Sequence, residues 1–269
     1  MFRDLLVHVD GSQAGRSRVQ LAVDLAGRMD ARLSGLHVTT TAEVPPLYKP
    51  SRLAEAAANA SGSLALDARA AAAIFGEEAP NARWFEASGD AVARITDKAR
   101  YADLVILGQY EKQGVPQSNP LPIAHSVVLG CGRPVLVVPA AAEPRAALAR
   151  VAIAWDGSRE AVRAVHDALP LLHLSRSVQL VRVIGPDDEG DELDARSLSA
   201  HLANHGIEVA SNLLPIRAPK ENEVLEKLEG QYDLLVMGGY SRPIWWQFIF
   251  GGTTQSVLLA SKIPIFVSH

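Results

Sequence analysis

The chain has 269 residues, with 26 Lys and Arg against 30 Asp and Glu for a formal net charge of −4, and is 48% hydrophobic and 21% charged. That is ordinary globular composition, long enough for two domains with cores of their own, and its acidic balance excludes a polyanion such as nucleic acid as the expected partner. The lone cysteine, Cys131, excludes an internal disulfide framework, no apolar run reaches membrane-spanning length, and Met1-Phe-Arg-Asp runs into a strand without a basic-then-apolar leader. A cytoplasmic protein with no membrane partner is therefore expected.

In chain order, an apolar run from Leu5 to Val9 reads as a strand, broken by Asp10-Gly-Ser12 and followed by a helix patterned on Val19, Leu21, Ala22, Leu25 and Ala26. A second strand spans Leu33 to Val38. The segment Thr39 to Pro50 is a proline-rich loop, and the Ala-rich stretch from about Ser51 to Phe75 is a long helix. A strand at Ala82 to Glu86, a helix at Asp90 to Ala99, a strand at Leu104 to Leu107, a helix near Ile123 to Leu129 and a strand at Val135 to Val138 follow. After a linker at Ala140 to Ala149, strands are expected near Val151 to Ala154, Val178 to Val183, Ile207 to Leu213, Leu234 to Met237 and Ile265 to Ser268, with helices between them.

This order is one plan written twice. Asp103-Leu-Val-Ile-Leu-Gly108 returns 130 positions later as Asp233-Leu-Leu-Val-Met-Gly238, and Pro134-Val-Leu-Val-Val as Pro264-Ile-Phe-Val-Ser at the same offset. The opening strands, Leu5 to Ser12 and Val151 to Ser158, match at an offset of 146, so the first copy carries sixteen extra residues in its middle loop and helix. The domains expected are residues 1–140 and 149–269. Short Val/Ile/Leu-rich strands alternating with helices predict an α/β fold: two tandem open parallel five-stranded sheets with helices on both faces, Rossmann-like, binding ligands at the carboxyl ends of the strands.

Two places there carry candidate chemistry. In each Asp-Gly-Ser turn the carboxylate can accept hydrogen bonds from a sugar hydroxyl or hold a metal through water, or the turn serves structure, with Gly making the bend and Ser12 or Ser158 capping the helix. In the second copy, Gly238-Gly239-Tyr240-Ser241 is followed by nine residues and then by Gly251-Gly252-Thr253-Thr254 opening an apolar helix. Glycines there bring backbone N–H groups and the helix dipole to a phosphate, and threonine hydroxyls add bonds; the bland alternative is a flexible turn with Thr253 as a cap.

The first-strand Asp, the fourth strand ending in Gly and the closing strand after Pro together resemble the universal stress protein family, over essentially the whole chain and twice in tandem. ATP-binding members of that family carry Gly, two residues, Gly, nine residues, Gly and then Ser or Thr. In the second copy this pattern falls on Gly238, Ser241, Gly251 and Gly252, with Ser replacing the second Gly and Gly252 replacing the hydroxyl residue just ahead of Thr253. A Cβ at Ser241 where the backbone needs positive φ costs of order 1–3 kcal/mol. The resemblance further implies that Asp156 faces the ribose or phosphates, that Val183 and Met237 contact adenine, and that the fifth strands pair between domains or subunits. In the first copy the loop positions become Glu111, Leu121, Pro122 and Ile123, which adds a negative charge and removes a backbone donor, so no ATP is expected there.

The remaining residues add no catalytic set. Trp245 and Trp246, with Ile244, Phe248, Ile249 and Phe250, read either as packing between domains or subunits or as a base-stacking platform. The eight histidines show no metal spacing with Cys or carboxylates, and His201 and His205, four apart on a helix, read as a surface pair without a third ligand. Neither a Gly-x-Ser-x-Gly turn nor a Gly-x4-Gly-Lys-Ser/Thr loop occurs. The expectation is a non-enzymatic stress-response protein binding ATP, with or without Mg, in its second domain through Asp156, Val183, Met237, Gly238, Ser241, Gly251, Gly252, Thr253 and Thr254. Its domains pair within the chain, and a homodimer is a further expectation. The alternative is a non-nucleotide interaction or dimerisation module.

Overall fold

The computed structural model describes residues 1–40, 50–109, 123–140, 148–183, 192–210, 214–216, 221–239 and 254–269. The first copy runs β1 (Asp4–His8), α1 (Gln13–Met29), β2 (Arg32–Thr39), α2 (Pro50–Glu78), β3 (Arg83–Ser88), α3 (Ala91–Ala99), β4 (Leu104–Gly108), α4 (Ile123–Cys131) and β5 (Val135–Val138). The second runs β6 (Arg150–Ala154), α5 (Arg159–Leu172), β7 (Ser177–Val183), α6 (Glu192–Asn204), β8 (Leu214–Ile216), α7 (Glu221–Glu229), β9 (Leu234–Gly238), α8 (Thr254–Ala260) and β10 (Ile265–Ser268). The expected α/β class with mostly parallel strands is what the chain adopts.

All ten strands lie in one sheet of order β3-β2-β1-β4-β5-β10-β9-β6-β7-β8, so each copy has the same internal order and the two meet at β5 and β10. Within each copy the pairs are parallel; β5 and β10 are antiparallel, with Val137 opposite Ile265, Leu136 opposite Phe266 and Val135 opposite Val267. This is the fifth-strand pairing implied by the family resemblance, made within one chain. Side chains alternate along β5 and β10, as the strand period of two requires. Leu136, Val138 and Phe266 join the core under α1, α2, α5 and α6, while Val135, Val137, Ile265 and Val267 join the core under α3, α4, α7 and α8. Each helix layer therefore covers both copies on its face of the sheet.

The repeated Asp-Leu-Val motif has a mechanical role at the amino ends of the strands. Asp103 accepts from the backbone N–H groups of Arg3 and Asp4 at 2.7 and 3.1 Å, and Asp233 accepts from that of Arg150 at 2.9 Å. The Asp103 and Asp233 N–H groups in turn donate to the carbonyls of Asp4 and Arg150, both at 2.8 Å, closing a reciprocal clamp in each copy.

One strand departs from the expected position. The described third strand of the second copy is Leu214–Ile216, and of the expected Ile207 to Leu213 residues 211–213 lie outside the described residues. Ile207 is buried and its N–H donates to Leu202 O, closing the end of α6; Val209 makes an isolated bridge to Val178, and the continuous ladder begins where Val181 meets Leu214. Between those two pairings one chain advances three residues and the other five.

The packing at two positions sets the cost of changing them. Phe266→Ala, at the buried meeting of the two copies, should lower unfolding free energy by about 3–5 kcal/mol in denaturant titration. At Gly35 a Cβ would lie 2.5 Å from the Phe75 ring of α2, so Gly35→Ala should cost about 1–3 kcal/mol in the same assay, and Phe75→Leu added to it should recover part of that loss.

Candidate functional site

The winding of each half reverses between its first and fourth strands, β1 and β4 in one copy and β6 and β9 in the other. The crevice at their carboxyl ends is where such sheets place ligands. Both Asp-Gly-Ser turns stand there. Ser12 Oγ accepts from Gly15 N–H at 2.9 Å and Ser158 Oγ from Ala161 N–H at 3.2 Å, so both serines cap their helices. Each also donates to the first carboxylate oxygen of its own aspartate, Ser12 to Asp10 and Ser158 to Asp156, and the serine N–H groups add bonds of 3.1 and 3.0 Å.

The second carboxylate oxygen separates the copies. Arg18 of α1 is 3% exposed and donates from Nη2 to Asp10 Oδ2 at 2.6 Å and from Nε to His8 O at 2.8 Å. Its Nη1 lies so close over Gly108 that a Cβ on that glycine would overlap it. The guanidinium thus fills the crevice between β1 and β4. From α2, Asp67 accepts the Gly11 N–H at 2.7 Å, which occupies the donor of the turn itself. His37 is buried with Nδ1 2.9 Å from Val9 O, and His8 stands nearby at the end of β1.

These groups set each other's charge. Burial alone would raise the Asp10 carboxyl, but the Arg18 charge, the Ser12 hydrogen bond and His8 outweigh it and hold the carboxyl well below the usual carboxylate range. Burial, reinforced by Arg18, lowers His8 to about 4, so it is neutral near pH 7.

In the second copy the residue 146 positions beyond Arg18 is Ala164, buried and too short to enter the crevice. Among the described residues nothing donates to Asp156 Oδ2. The strand pairings place Arg182 where the first copy has His37, since Leu36 and Val181 are equivalent acceptors from Val9 and Trp155. Gly238 ends β9 with the first turn of α5 directly against it, where a Cβ would be 2.5 Å from Ala161 N, so a glycine is required for the helix start to approach the strand end. Met237 is buried on the α7 and α8 side with Leu258 and Val267. Val183 ends β7 and Thr254 opens α8, with their side chains outside the described set. Ser241, Gly251, Gly252 and Thr253 lie outside the described residues, as do Trp245, Trp246, Glu111, Leu121 and Pro122. The structure therefore brings Asp156 and Gly238 to one strand-end crevice.

Sequence reading missed Arg18, His8 and Asp67. Arg18 leaves one signal, a charged residue within the apolar pattern of α1 whose repeat partner is Ala164. No helix among the described residues is long and apolar enough to cross a membrane.

The model of the universal stress protein family matches residues 1–139. Comparison with curated proteins gives no match. The chain is similar to the crystal structure of a universal stress protein from Archaeoglobus fulgidus, at 18% identity and a TM-score of 0.66, covering 98% of this chain and 95% of that one. It is also similar to a functionally unknown protein from Pseudomonas aeruginosa, at 15% identity and a TM-score of 0.59, covering 99% of this chain and 92% of that one. At these identities the solved structures show the fold alone. The family match extends over more than half of the chain and includes β1 to β5 with the Asp10 turn; the chain belongs to the universal stress protein family.

Proposed function

We propose that the protein is a regulatory binder of an adenine nucleotide, ATP with or without Mg, with one site in its second domain and none in its first. The observation that carries this reading is the exchange of Arg18 for Ala164 between two crevices that share the Asp-Gly-Ser turn and the strand-end glycine. Where the arginine stands, its guanidinium neutralises the aspartate and takes the second carboxylate oxygen. The crevice of the second domain has no such guanidinium from its first helix, and Asp156 keeps one carboxylate oxygen for a ribose hydroxyl or a metal-bound water.

In this reading Gly238, Ser241, Gly251, Gly252, Thr253 and Thr254 supply the phosphate-facing turn and helix start, while Val183 and Met237 flank the base. The first domain, residues 1–140, serves as the fixed structural partner of the second, 149–269, through the β5 and β10 pairing. A single binding event then acts on the protein by changing how α8 sits. Gln109 of the first domain donates to Leu258 O and Ser261 O, both at 2.9 Å, and so grips the carboxyl end of α8.

Calorimetric titration of nucleotide-free protein with Mg-ATP should give about one site per chain. Gly251→Asp should abolish the heat, and Asp156→Ala should weaken binding by about tenfold or more. Absence of heat in the wild type would overturn the reading and leave the domain-interaction role in front.

The closed first crevice also predicts a pH dependence. The unfolded chain protonates His8 near 6.5, whereas the folded protein does so only near 4. Between these values the unfolded state holds the extra proton, so stability falls as pH drops through that window. Loss of the Asp10 contribution follows at lower pH, because its folded carboxyl is depressed below 3.8. Urea unfolding at pH 7 and pH 5 should show a shallower pH slope in His8→Ala than in the wild type; equal slopes would refute the assignment.

A further inference from the structure

Copy two joins its first two helices with different chemistry from copy one. In the first copy the seam between α1 and α2 is ionic: Arg16 reaches Glu77 at 2.7 Å and Glu78 at 2.6 Å, and Gln20 donates to Glu78 at 3.0 Å. At the corresponding seam His166 of α5 replaces Gln20, 146 positions on. His205, just beyond α6, replaces Glu78, because the buried pair Ala71 and Phe75 corresponds to Leu198 and Leu202 at a common offset of 127. A third imidazole, His201, stands one turn before His205 on α6. The ring centroids are separated by 5.1 Å for His166 and His201, 6.1 Å for His166 and His205 and 4.8 Å for His201 and His205.

Those separations are close to what a shared cation requires. Three imidazoles each bound through one nitrogen at about 2.1 Å have centroids about 5 Å apart. As the rings stand, no group of three His, Cys, Asp or Glu among the described residues could hold a metal ion. All three residues are exposed, however, so turning the rings about their side-chain torsions displaces no core atom. The backbone that carries them is already fixed: His173, at the end of α5, holds Leu169 O at 2.7 Å and His205 O at 2.9 Å, tying the two helices together beside the cluster.

We propose that His166, His201 and His205 form a binding site for a borderline divalent transition-metal cation such as Zn2+, Ni2+ or Cu2+. The ligand set is all imidazole, which suits these metals and not Mg2+ or Ca2+. Water completes the coordination on the exposed side. The bound cation crosslinks α5 to α6 where the first domain uses Arg16 and Glu78. The inference is independent of nucleotide binding, since the cluster is built on the helix seam and not in the strand-end crevice.

Tag-free protein titrated calorimetrically with ZnCl2 should bind one Zn2+ per chain, and Zn2+ should raise the thermal midpoint. His166→Gln and His205→Gln should each weaken Zn2+ binding by about tenfold or more and remove the thermal shift, while their metal-free midpoints stay near the wild type because the side chains are exposed. MgCl2 in place of ZnCl2 should give no shift. Absence of saturable Zn2+ heat in the wild type, or binding that His166→Gln leaves unchanged, would overturn the proposal; the second result would assign the metal to the His201 and His205 pair or to other histidines.

Discussion

The antiparallel contact of β5 with β10 is the constraint on which the rest of the molecule depends. Each copy alone presents its fifth strand as a bare sheet edge whose backbone donors and acceptors need a partner. Pairing the two edges satisfies both at once and removes both from solvent. Because the strands alternate faces, the same three residue pairs also continue each core across the junction, with Leu136 and Phe266 on one face and Val137 and Ile265 on the other. The remaining edges, β3 and β8, lie at opposite ends of the sheet, farthest from the junction.

That junction makes the two crevices unequal neighbours rather than independent sites. Gln109, just beyond β4 of the first domain, grips the end of α8 in the second through two carbonyls; 130 positions on, its repeat equivalent is Gly239, which has no side chain to return the contact. Arg28 of α1 likewise donates to Leu174 O beyond α5 at 2.9 Å. Arg163 of α5 returns a contact to Gly132 O of the first domain at 3.3 Å, so each domain holds an element of the other. In the first domain the buried Arg18 and the half-buried Asp10 tie α1 to β1, and Arg18 would be costly to leave unpaired.

Much of this was legible from the repeat. Asp10 and Asp156, Gly108 and Gly238 and the closing strands align without reference to any structure, and they locate both crevices. Two features were not legible, for physical reasons. The strand near Ile207 was misplaced because its apolar pattern is shared by a helix-closing residue, Ile207, and a single bridge residue, Val209; local patterning cannot tell these from a ladder. The offset between copies also slips from 146 at β1 to 145 at β2, as the pairings of Leu5 with Leu33 and Val151 with Val178 show, and no motif marks the missing residue. That slip decides that His37 corresponds to Arg182 and Val38 to Val183.

Arg18 illustrates the deeper limit. An arginine in an amphipathic helix reads as solvated because burying its charge is expensive unless a partner is already desolvated beside it. That partner, Asp10, was visible in the sequence, but as a candidate ligand group, and the two readings compete for the same carboxylate oxygen. Comparing the copies resolves the competition: α1 carries Arg18 and α5 carries Ala164, so one aspartate is committed to the fold and the other keeps an oxygen that the described residues leave open. The same comparison separates the helix seams, ionic in one copy and histidine-lined in the other. Duplication kept the strand order while the polar groups diverged, so differences between equivalent positions carry more functional information than either copy's motif alone.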